Sequence, residues 1–457
     1  MSRLTPVFTA FLCIVAAAIY FLPPPAGATA VTMHAAALIV LTTGLWALGA
    51  LPEHLTALLF FTLAVVFAIA SPQVVFSGFA SATMWLVLGG LYLAEAVRRT
   101  GLGSRFAGVL FGRFTRTYAG LVAEVAVAGT ALAFFMPATV GRILLFVPIV
   151  IAVAERAGFK RDSSGFNGLC VLAIIISYQS GNGMLPANAP NMVLAGAAEA
   201  LYNVHFIYAE WMWVMFPVLC LLKGIVLVAL TCWIFPARIE PPPAPPPPAA
   251  MSAEEMRLAV ILVIALLLWA TDFLHGIRAG WVALAAAVAC LMPRIGMLSA
   301  DAFHDVRLGS FFYVGAAIGV GAVANESGLG ELLGRMLQNS LNIQPGADFT
   351  NFMVLSLFAT AVGLITTNPA QPAVVAPLSA QFAEAAGWPL NAALMTMAVG
   401  FTTMLFPYQV PPAIVGIRTS AISMHAVMRL VLPLAVVSIV VLLPLDYLWW
   451  RLIGYFG

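Results

Sequence analysis

Charge is what this chain has least of. Asp, Glu, Lys and Arg make up 8% of its 457 residues, where a soluble domain carries about a quarter, so no sizeable soluble domain is left to hold a separate activity. The formal net charge of +2 offers no basic surface to nucleic acid. Five cysteines, Cys13, Cys170, Cys220, Cys232 and Cys290, lie singly in apolar runs without CxxC spacing, which argues against a disulfide framework or a cysteine metal site and makes them packing residues. The six histidines are equally scattered. With neither a His/Asp/Glu cluster nor an appended domain, the chain reads as neither a membrane enzyme nor a non-transporting receptor, and it calls for no organic cofactor.

What is abundant is apolar surface: 62% of residues are hydrophobic and the mean hydropathy is +1.02. Runs of roughly 20 apolar residues, the length that crosses the hydrocarbon, recur along the chain, so function has to sit inside the membrane. Those bounded by Pro, Gly or charge predict helices near 5–22, 33–50, 54–70, 82–97, 166–186, 208–235, 257–273, 279–293, 309–326, 391–408 and 430–450, about eleven spans. Residues 1–30, with Arg3, an apolar run and "PPPAGATA", have the parts of a cleaved signal peptide; the reading taken here is a retained first span. Arg98, Arg99, Arg105, Arg113 and Arg116 follow the fourth run, and Arg156, Lys160 and Arg161 precede the fifth. The positive-inside rule makes both stretches cytoplasmic and puts the N-terminus inside as well, in a multi-pass protein of the cytoplasmic (inner) membrane. Residues 118–154 then enter and leave on one side, as two spans or one re-entrant hairpin. The short second arm after Gly141 and "PATVGR" at the centre favour a hairpin ending within the membrane, where non-helical backbone survives only when buried in protein or lining a wet cavity.

"EPPPAPPPP" (240–248) reads as a stiff, solvated linker, and related patterns lie on either side of it. "PIVIAVAERAG" (148–158) faces "PLSAQFAEAAG" (377–387), "TGLGSRFAGVLFGR" (100–113) faces "SGLGELLGRML" (327–337), and "APNMVLAG" (189–196) faces "PPAIVG" (411–416), in the same order. An odd number of spans separates the copies, so the second is inverted. The domains that follow are N-terminal scaffold helices (1–70), a first repeat (71–235) with its hairpin near 118–154, a Pro-rich cytoplasmic linker (236–256), further scaffold helices (257–308), and a second, inverted repeat (309–457) with its hairpin near 349–386. The fold class is an all-α polytopic membrane protein with about eleven transmembrane helices and two re-entrant helical hairpins in two inverted repeats, the signature of a secondary transporter with a site near the midplane.

A break at 137–142 in the first hairpin corresponds to "TTNPAQP", Thr366 to Pro372, in the second. Thr139, Thr366, Thr367 and Asn368 bring hydroxyl and amide groups to the two tips, beside N–H groups that suit an oxyanion; the plain alternative is that they only cap helices. "SYQSGNGMLPANAPN" (177–191) and "TTMLFPYQVPP" (402–412) place Pro and uncharged polar groups inside spanning helices. Unwinding there frees carbonyls for a cation or amides for an anion, unless each is a kink repaired by its neighbours. Asn182, Asn188, Asn191, Tyr408 and Gln409 are the candidates on these stretches. Arg142, in "MPATVGRILLFVP", costs about 2.5–3.5 kcal/mol at a helix centre on insertion scales and needs a partner. Its planar fork suits a carboxylate or sulfate; a structural pair with a buried acid such as Glu124 is the alternative. Arg418 invites the same reading or marks the cytoplasmic end of its span, and Lys223 in "LCLLKGIV" reads as a snorkelling or internally paired lysine.

Taken together, these features resemble the divalent anion/sodium symporter family, the di- and tricarboxylate and sulfate carriers of the ion transporter superfamily, over most of the chain. That family carries Ser-Asn-Thr at each hairpin tip, a fixed distance before a proline. Counting back from Pro148 and Pro377 gives Ala138-Thr139-Val140 and Thr367-Asn368-Pro369, so only Thr139 and the Thr367-Asn368 pair keep side chains that bind as the family's do. The family's Pro-Pro-Asn break is matched by "APN" with Asn191 and by "PPA" with Ala413. Arg142 falls where an exchanger branch, similar to the chloroplast 2-oxoglutarate/malate translocator and bacterial citrate/succinate antiporters, carries an arginine. The resemblance implies a secondary carrier of small divalent organic anions, with sulfate second, working by elevator-like movement, as a homodimer in the lipid bilayer. It also implies a fixed positive charge in place of a bound cation, and hence exchange. Thr139, Arg142, Thr367 and Asn368 are then substrate-binding, with Asn191 holding the first break; Ala138, Thr366, Asn182, Asn188, Gln409 and Arg418 are further positions for substrate or for a coupling Na+ or H+. A cation/proton antiporter or arsenite carrier of the same superfamily is the alternative. No pair of embedded acids in the core suits a proton relay, though Glu124 and Asp446 stay open.

Overall fold

Lipid offers no partner to a free backbone N–H or C=O, so apolar runs of this length fold as helices, and their ends are written in Ser, Thr, Gly and Pro. In the computed structural model, which describes residues 5–110, 117–136, 138–239, 250–299 and 302–457, every regular element is helical. Arg113, Arg116 and the polyproline stretch lie outside the described residues. The chain begins with α1 (Thr5–Phe21), α2 (Ala30–Leu48) and α3 (Glu53–Val66). Then come α4 (Ala82–Thr100), α5 (Leu102–Leu110), α6 (Tyr118–Phe135), α7 (Thr139–Arg156), α8 (Ser164–Asn182), α9 (Ala189–Tyr202) and α10 (Tyr208–Ile234). Ser81, Thr117 and Ser163 cap α4, α6 and α8 through their hydroxyls, each satisfying one of the N–H groups that a helix start leaves open. Gly101 ends α4 at φ 77°, a left-handed conformation that glycine adopts without penalty.

Past the linker stand α11 (Ala253–Ala270) and α12 (Ala279–Leu291), followed by α13 (Gly309–Glu326), α14 (Leu329–Leu341), α15 (Asp348–Ile365), α16 (371–386, with a 3₁₀ turn at 376–378), α17 (Leu390–Phe401), α18 (Pro411–Ser420) and α19 (Met424–Leu452). Elements α4–α10 and α13–α19 match one for one: a long helix, a short amphipathic one, a helical pair, an interrupted helix, and a long helix. Both final helices carry a π-helical turn near the middle, at Pro217–Leu222 and Ser438–Leu442. Packing is reciprocal as well, for α4 lies on α12 and α13 on α3. The halves interlock through their interrupted helices: α18 of the second packs on α7 of the first, and α9 of the first on α13 and α16 of the second. Five helices, Ala30–Leu48, Tyr118–Phe135, Tyr208–Ile234, Asp348–Ile365 and Met424–Leu452, are by themselves long and apolar enough to cross a membrane.

Three expectations move. The first tip is shorter than a break at 137–142: α7 is helical from Thr139, its first turn closed by the Arg142 N–H on the Ala138 carbonyl at 3.0 Å. Gly141 does not interrupt it, because glycine inside a helix costs only about 1 kcal/mol relative to alanine. The predicted spans 166–186 and 391–408 end early, at Asn182 and Phe401, where the backbone leaves the helix ahead of Pro186 and Pro407. Contact between α4 and α12 depends on missing side chains: a Cβ on Gly280 would lie 2.0 Å from the Ala82 carbonyl oxygen, and one on Gly89 2.5 Å from the Ala283 carbonyl carbon. Such small residues let helix backbones approach closely in lipid. Gly280→Leu must therefore push α4 away, at a cost of at least about 1–3 kcal/mol, and a melt of the detergent-solubilised protein should show a clearly lower midpoint; an unchanged midpoint would contradict this packing.

Candidate functional site

Two breaks and two tips meet between the halves, and the first pair is organised by Arg142. Its side chain is fully buried. Nε and Nη2 donate to the Ser177 carbonyl at 3.1 and 2.9 Å, Nη1 donates to the Ala187 carbonyl at 2.8 Å and to that of Met136, and Nη2 also donates to Thr139 Oγ1 at 3.1 Å. All five guanidinium N–H groups are thereby used, and Glu124 takes no part. Ser177 lies in the last turns of α8 and Met136 directly follows α6, so the charge sits at two helix C-termini, the negative ends of their dipoles. Gly181 lets the guanidinium lie against α8; a Cβ there would be 2.6 Å from Nη2. Asn191 ties the rest of the break, donating to the carbonyls of Gly181 at 2.8 Å, Met184 at 2.9 Å and Asn182 at 3.4 Å. Thr139 Oγ1 donates to Asn188 Oδ1 at 3.2 Å, and Asn188 donates on to Asn182 Oδ1.

The second tip is built from neutral groups. Asn368 donates through Nδ2 to Tyr178 Oη at 3.0 Å and to the Phe401 carbonyl at 2.9 Å, while its backbone N–H donates to the Gln409 carbonyl at 2.8 Å. Gln409 Nε2 donates to Asn368 Oδ1 at 3.3 Å, and its Oε1 accepts from the N–H groups of Leu405 and Phe406, both at 2.8 Å. Tyr178, from α8 of the first half, donates to the Phe401 carbonyl at 2.6 Å and so links the halves. Superposing Pro148 on Pro377 sets Arg142 over Gln371 and Thr139 over Asn368. Gln371 repeats the arginine's task with an amide, donating to the carbonyls of Met397 at 3.0 Å and Ala359 at 3.3 Å. Positive charge reaches this break from elsewhere: the buried ammonium of Lys223 donates to the Thr402 carbonyl at 2.7 Å. It is thus internally held and does not snorkel.

A cavity of about 800 Å³ opens between these groups and the helices α4 and α13, within the range of small-molecule sites. Ala138, Thr139, Val140 and Gly141 line one wall, where the N–H groups of Thr139, Val140 and Gly141 begin α7 without intrahelical partners. Tyr178, Asn188, Pro369, Val410, Pro411 and Val415 continue that wall, and Leu86, Val87, Tyr313 and Val314 face it. Of the sequence candidates, Ala138, Thr139 and Asn188 reach the cavity. Arg142, Asn182, Asn191, Thr366, Thr367, Asn368 and Gln409 are buried behind it in the tips and breaks. Tyr408, half exposed, donates to the Leu364 carbonyl at 2.7 Å. Arg418 is not brought in: it is exposed in the last turn of α18. Tyr178 and Gln371 escaped the sequence reading, though the repeat itself signalled Gln371 by placing it under Arg142.

Helices interrupted at matched points around a polar centre, in a chain this apolar, define a secondary transporter of the membrane. More narrowly, the chain belongs to the divalent anion/sodium symporter family, since the family model described as the sodium:sulfate symporter transmembrane region matches residues 5–456. It is a transporter of anions and not an enzyme. The chain is similar to a sodium-dependent dicarboxylate transporter, SdcS, of Staphylococcus saprophyticus, 22% identical over 88% of this chain and 83% of that protein. It is also similar to the chloroplastic dicarboxylate transporter 2.1 of Arabidopsis thaliana, 29% identical over 34% of this chain and 28% of that protein. The fold is like that of the Alcanivorax borkumensis YdaH transporter, with a TM-score of 0.58 at 15% identity over 99% of this chain and 98% of that one.

Asn191→Ala removes the donor to three buried carbonyls of the first break. Each carbonyl keeps a second donor, the Met184 N–H on Gly181, Trp211 Nε1 on Asn182 and the Ala187 N–H on Met184. The loss is therefore about 0.5–1.5 kcal/mol per hydrogen bond, and the variant should melt below the parent protein in detergent. A parent-like midpoint would mean that the break is held by other groups.

Proposed function

We propose that the protein exchanges small dicarboxylates, and tricarboxylates of similar build, across the cytoplasmic membrane, with Arg142 as a fixed cation in place of a bound sodium ion. The observation that carries this reading is the convergence of three carbonyls and one hydroxyl on a buried guanidinium. Oxygens gathered in this way are what a sodium ion needs, and here the charge belongs to the chain. A covalently attached cation cannot be released on either side, so no gradient of it drives uptake. Its buried charge is best balanced when a dianion is bound, which disfavours movement of the empty carrier and leads to exchange. The name of the staphylococcal relative points to sodium; the reason to depart from it is that Ala138 and Val140 supply no side-chain oxygen beside Thr139.

Recognition of the anion is assigned to the N-terminal N–H groups of α7, with the positive dipole end and the nearby guanidinium charge behind them, and to Asn188. Val410, Pro411 and Val415 suit a carbon skeleton, which favours an organic anion over sulfate. The tips and breaks would move as one body against α4 and α13, with a homodimer holding the scaffold still.

Arg142 variants test this reading. In proteoliposomes loaded with unlabelled succinate, uptake of labelled succinate should be lost in Arg142→Ala and Arg142→Gln, and be retained at a rate reduced about tenfold or more in Arg142→Lys, which keeps the charge with three donors in place of five. Melting midpoints read in parallel separate this from unfolding. A folded Arg142→Gln protein that exchanges at the parent rate would overturn the proposal, because the guanidinium would then be a hydrogen-bonding clamp whose charge is dispensable.

A further inference from the structure

The ties described above hold the tips to the breaks; a separate set holds the first interrupted helix to α4 and α12. Glu199, in the last turn of α9, has a side chain only 14% exposed, and its two oxygens accept from the Ala82 N–H at 3.2 and 3.1 Å. Ala82 begins α4, so the carboxylate meets an N–H group that the helix leaves open, at the positive end of its dipole. Arg278, directly before α12, donates through Nη1 to the same carboxylate at 2.6 Å and through Nη2 to His205 Nε2 at 3.0 Å. An arginine has no acceptor, so this His205 nitrogen is the unprotonated one. At this point α4 and α12 are fixed to each other, with Gly280 against the Ala82 carbonyl. Three residues beyond Glu199, Tyr202 donates to the Ala376 carbonyl of the second hairpin at 3.0 Å. Glu199 thus joins the interrupted helix and a hairpin to a rigid pair of helices.

The other end of α4 is different. The cavity runs along α4 from Leu86 to Arg98, and along α9 only as far as Met192, about two turns short of Glu199. Exposed Arg98, Asp305 and Arg307 stand at its mouth. There the charged side chains of α4, Glu95, Arg98 and Arg99, bond to one another and to Ser299 and Asp305, and none of these bonds reaches α7. The molecule is open at one end of α4 and tied at the other.

We propose that Glu199 and Arg278 form a latch that holds the carrier in this mouth-open state. The tips and breaks move along α4 and α13 only after the Glu199 carboxylate leaves Arg278 and the Ala82 N–H, and remaking those bonds returns them. Arg278 has a side chain 44% exposed, so water takes over its hydrogen bonds when the pair opens, and a pair of this exposure is weak enough to break in every cycle. Both are positioning residues, since neither lines the cavity. The inference rests on the proposed movement of the tips and breaks, and not on the identity of the anion or the charge of Arg142.

The side from which the cavity is reached tests the latch. Leu144→Cys places a thiol on the cavity face of α7, in a protein with Cys13→Ala and Cys232→Ala, the two native cysteines that are not buried. A membrane-impermeant maleimide is added to right-side-out or inverted vesicles with succinate present. Without further change the thiol should react mainly from the mouth side, which the arginine-rich end of α4 makes cytoplasmic. Glu199→Gln keeps an oxygen for the Ala82 N–H and removes the charge. It and Arg278→Gln should each raise the ratio of latch-side to mouth-side labelling about threefold, within what one partly exposed ion pair controls. The double variant should go no further, because both changes break one tie. A general loosening of the fold would speed labelling from both sides and leave the ratio alone. If Glu199→Gln fails to fold, Arg278→Gln, at the more exposed partner, reads the same pair. An unchanged ratio in folded Arg278→Gln, or additive effects in the double variant, would overturn the latch alone. A thiol that reacts from the mouth side only, in every protein, would remove the movement and the latch with it.

Discussion

A buried guanidinium whose five N–H groups all meet oxygen holds the first tip to the first break, and the polar centre is arranged around that bond set. The underlying constraint is general: helices that stop inside an apolar protein leave carbonyls and N–H groups that neither lipid nor a neighbouring apolar side chain can satisfy. This chain answers with side chains that reach across elements. Arg142 and Asn191 serve the first break, and Asn368, Gln409 and Lys223 the second. Each tie joins parts that would otherwise be free to separate, so tips and breaks form one body beside the cavity.

The halves match in backbone and differ in charge. Arg142 and Gln371 occupy the same place in their repeats and make the same kind of contact, yet only one carries a charge. In the second half the charge arrives from α10 through Lys223. The residues that begin α7, whose N–H groups have no intrahelical partner, line the cavity at the first tip, whereas α18 begins with Pro411 and Pro412, which carry no N–H. In the proposed function an anion is accordingly drawn to the first half, and the second contributes shape and an apolar wall.

Much of this was legible in the sequence. Apolar runs located the long helices, and the paired "AERAG" and "AEAAG" patterns aligned the repeats. "TTNPAQP" marked the second tip, because Thr, Asn and Pro cannot continue a helix without loss. The first tip was misjudged by a few residues, since "PATVGR" looks locally like a long break while tertiary contacts carry α7 back through Gly141. Arg142 was legible as a charge needing partners, but not the partners themselves: backbone carbonyls have no letter in a sequence. Tyr178 was hidden for a related reason, as one hydroxyl in an apolar run whose acceptor, the Phe401 carbonyl, lies in the other half. The π-helical turns leave no pattern of their own, so the reach of Lys223 to the Thr402 carbonyl became visible only in three dimensions.

The claim that a fixed charge replaces a transported one is tested most directly on the unmodified protein. Labelled succinate uptake into proteoliposomes would be followed with and without an inward sodium gradient, and with and without unlabelled dicarboxylate inside. The account predicts uptake that ignores sodium and requires the internal anion. Sodium-driven uptake into vesicles without internal dicarboxylate would contradict it, since the degenerate tips would then still bind the ion that Arg142 is held to replace.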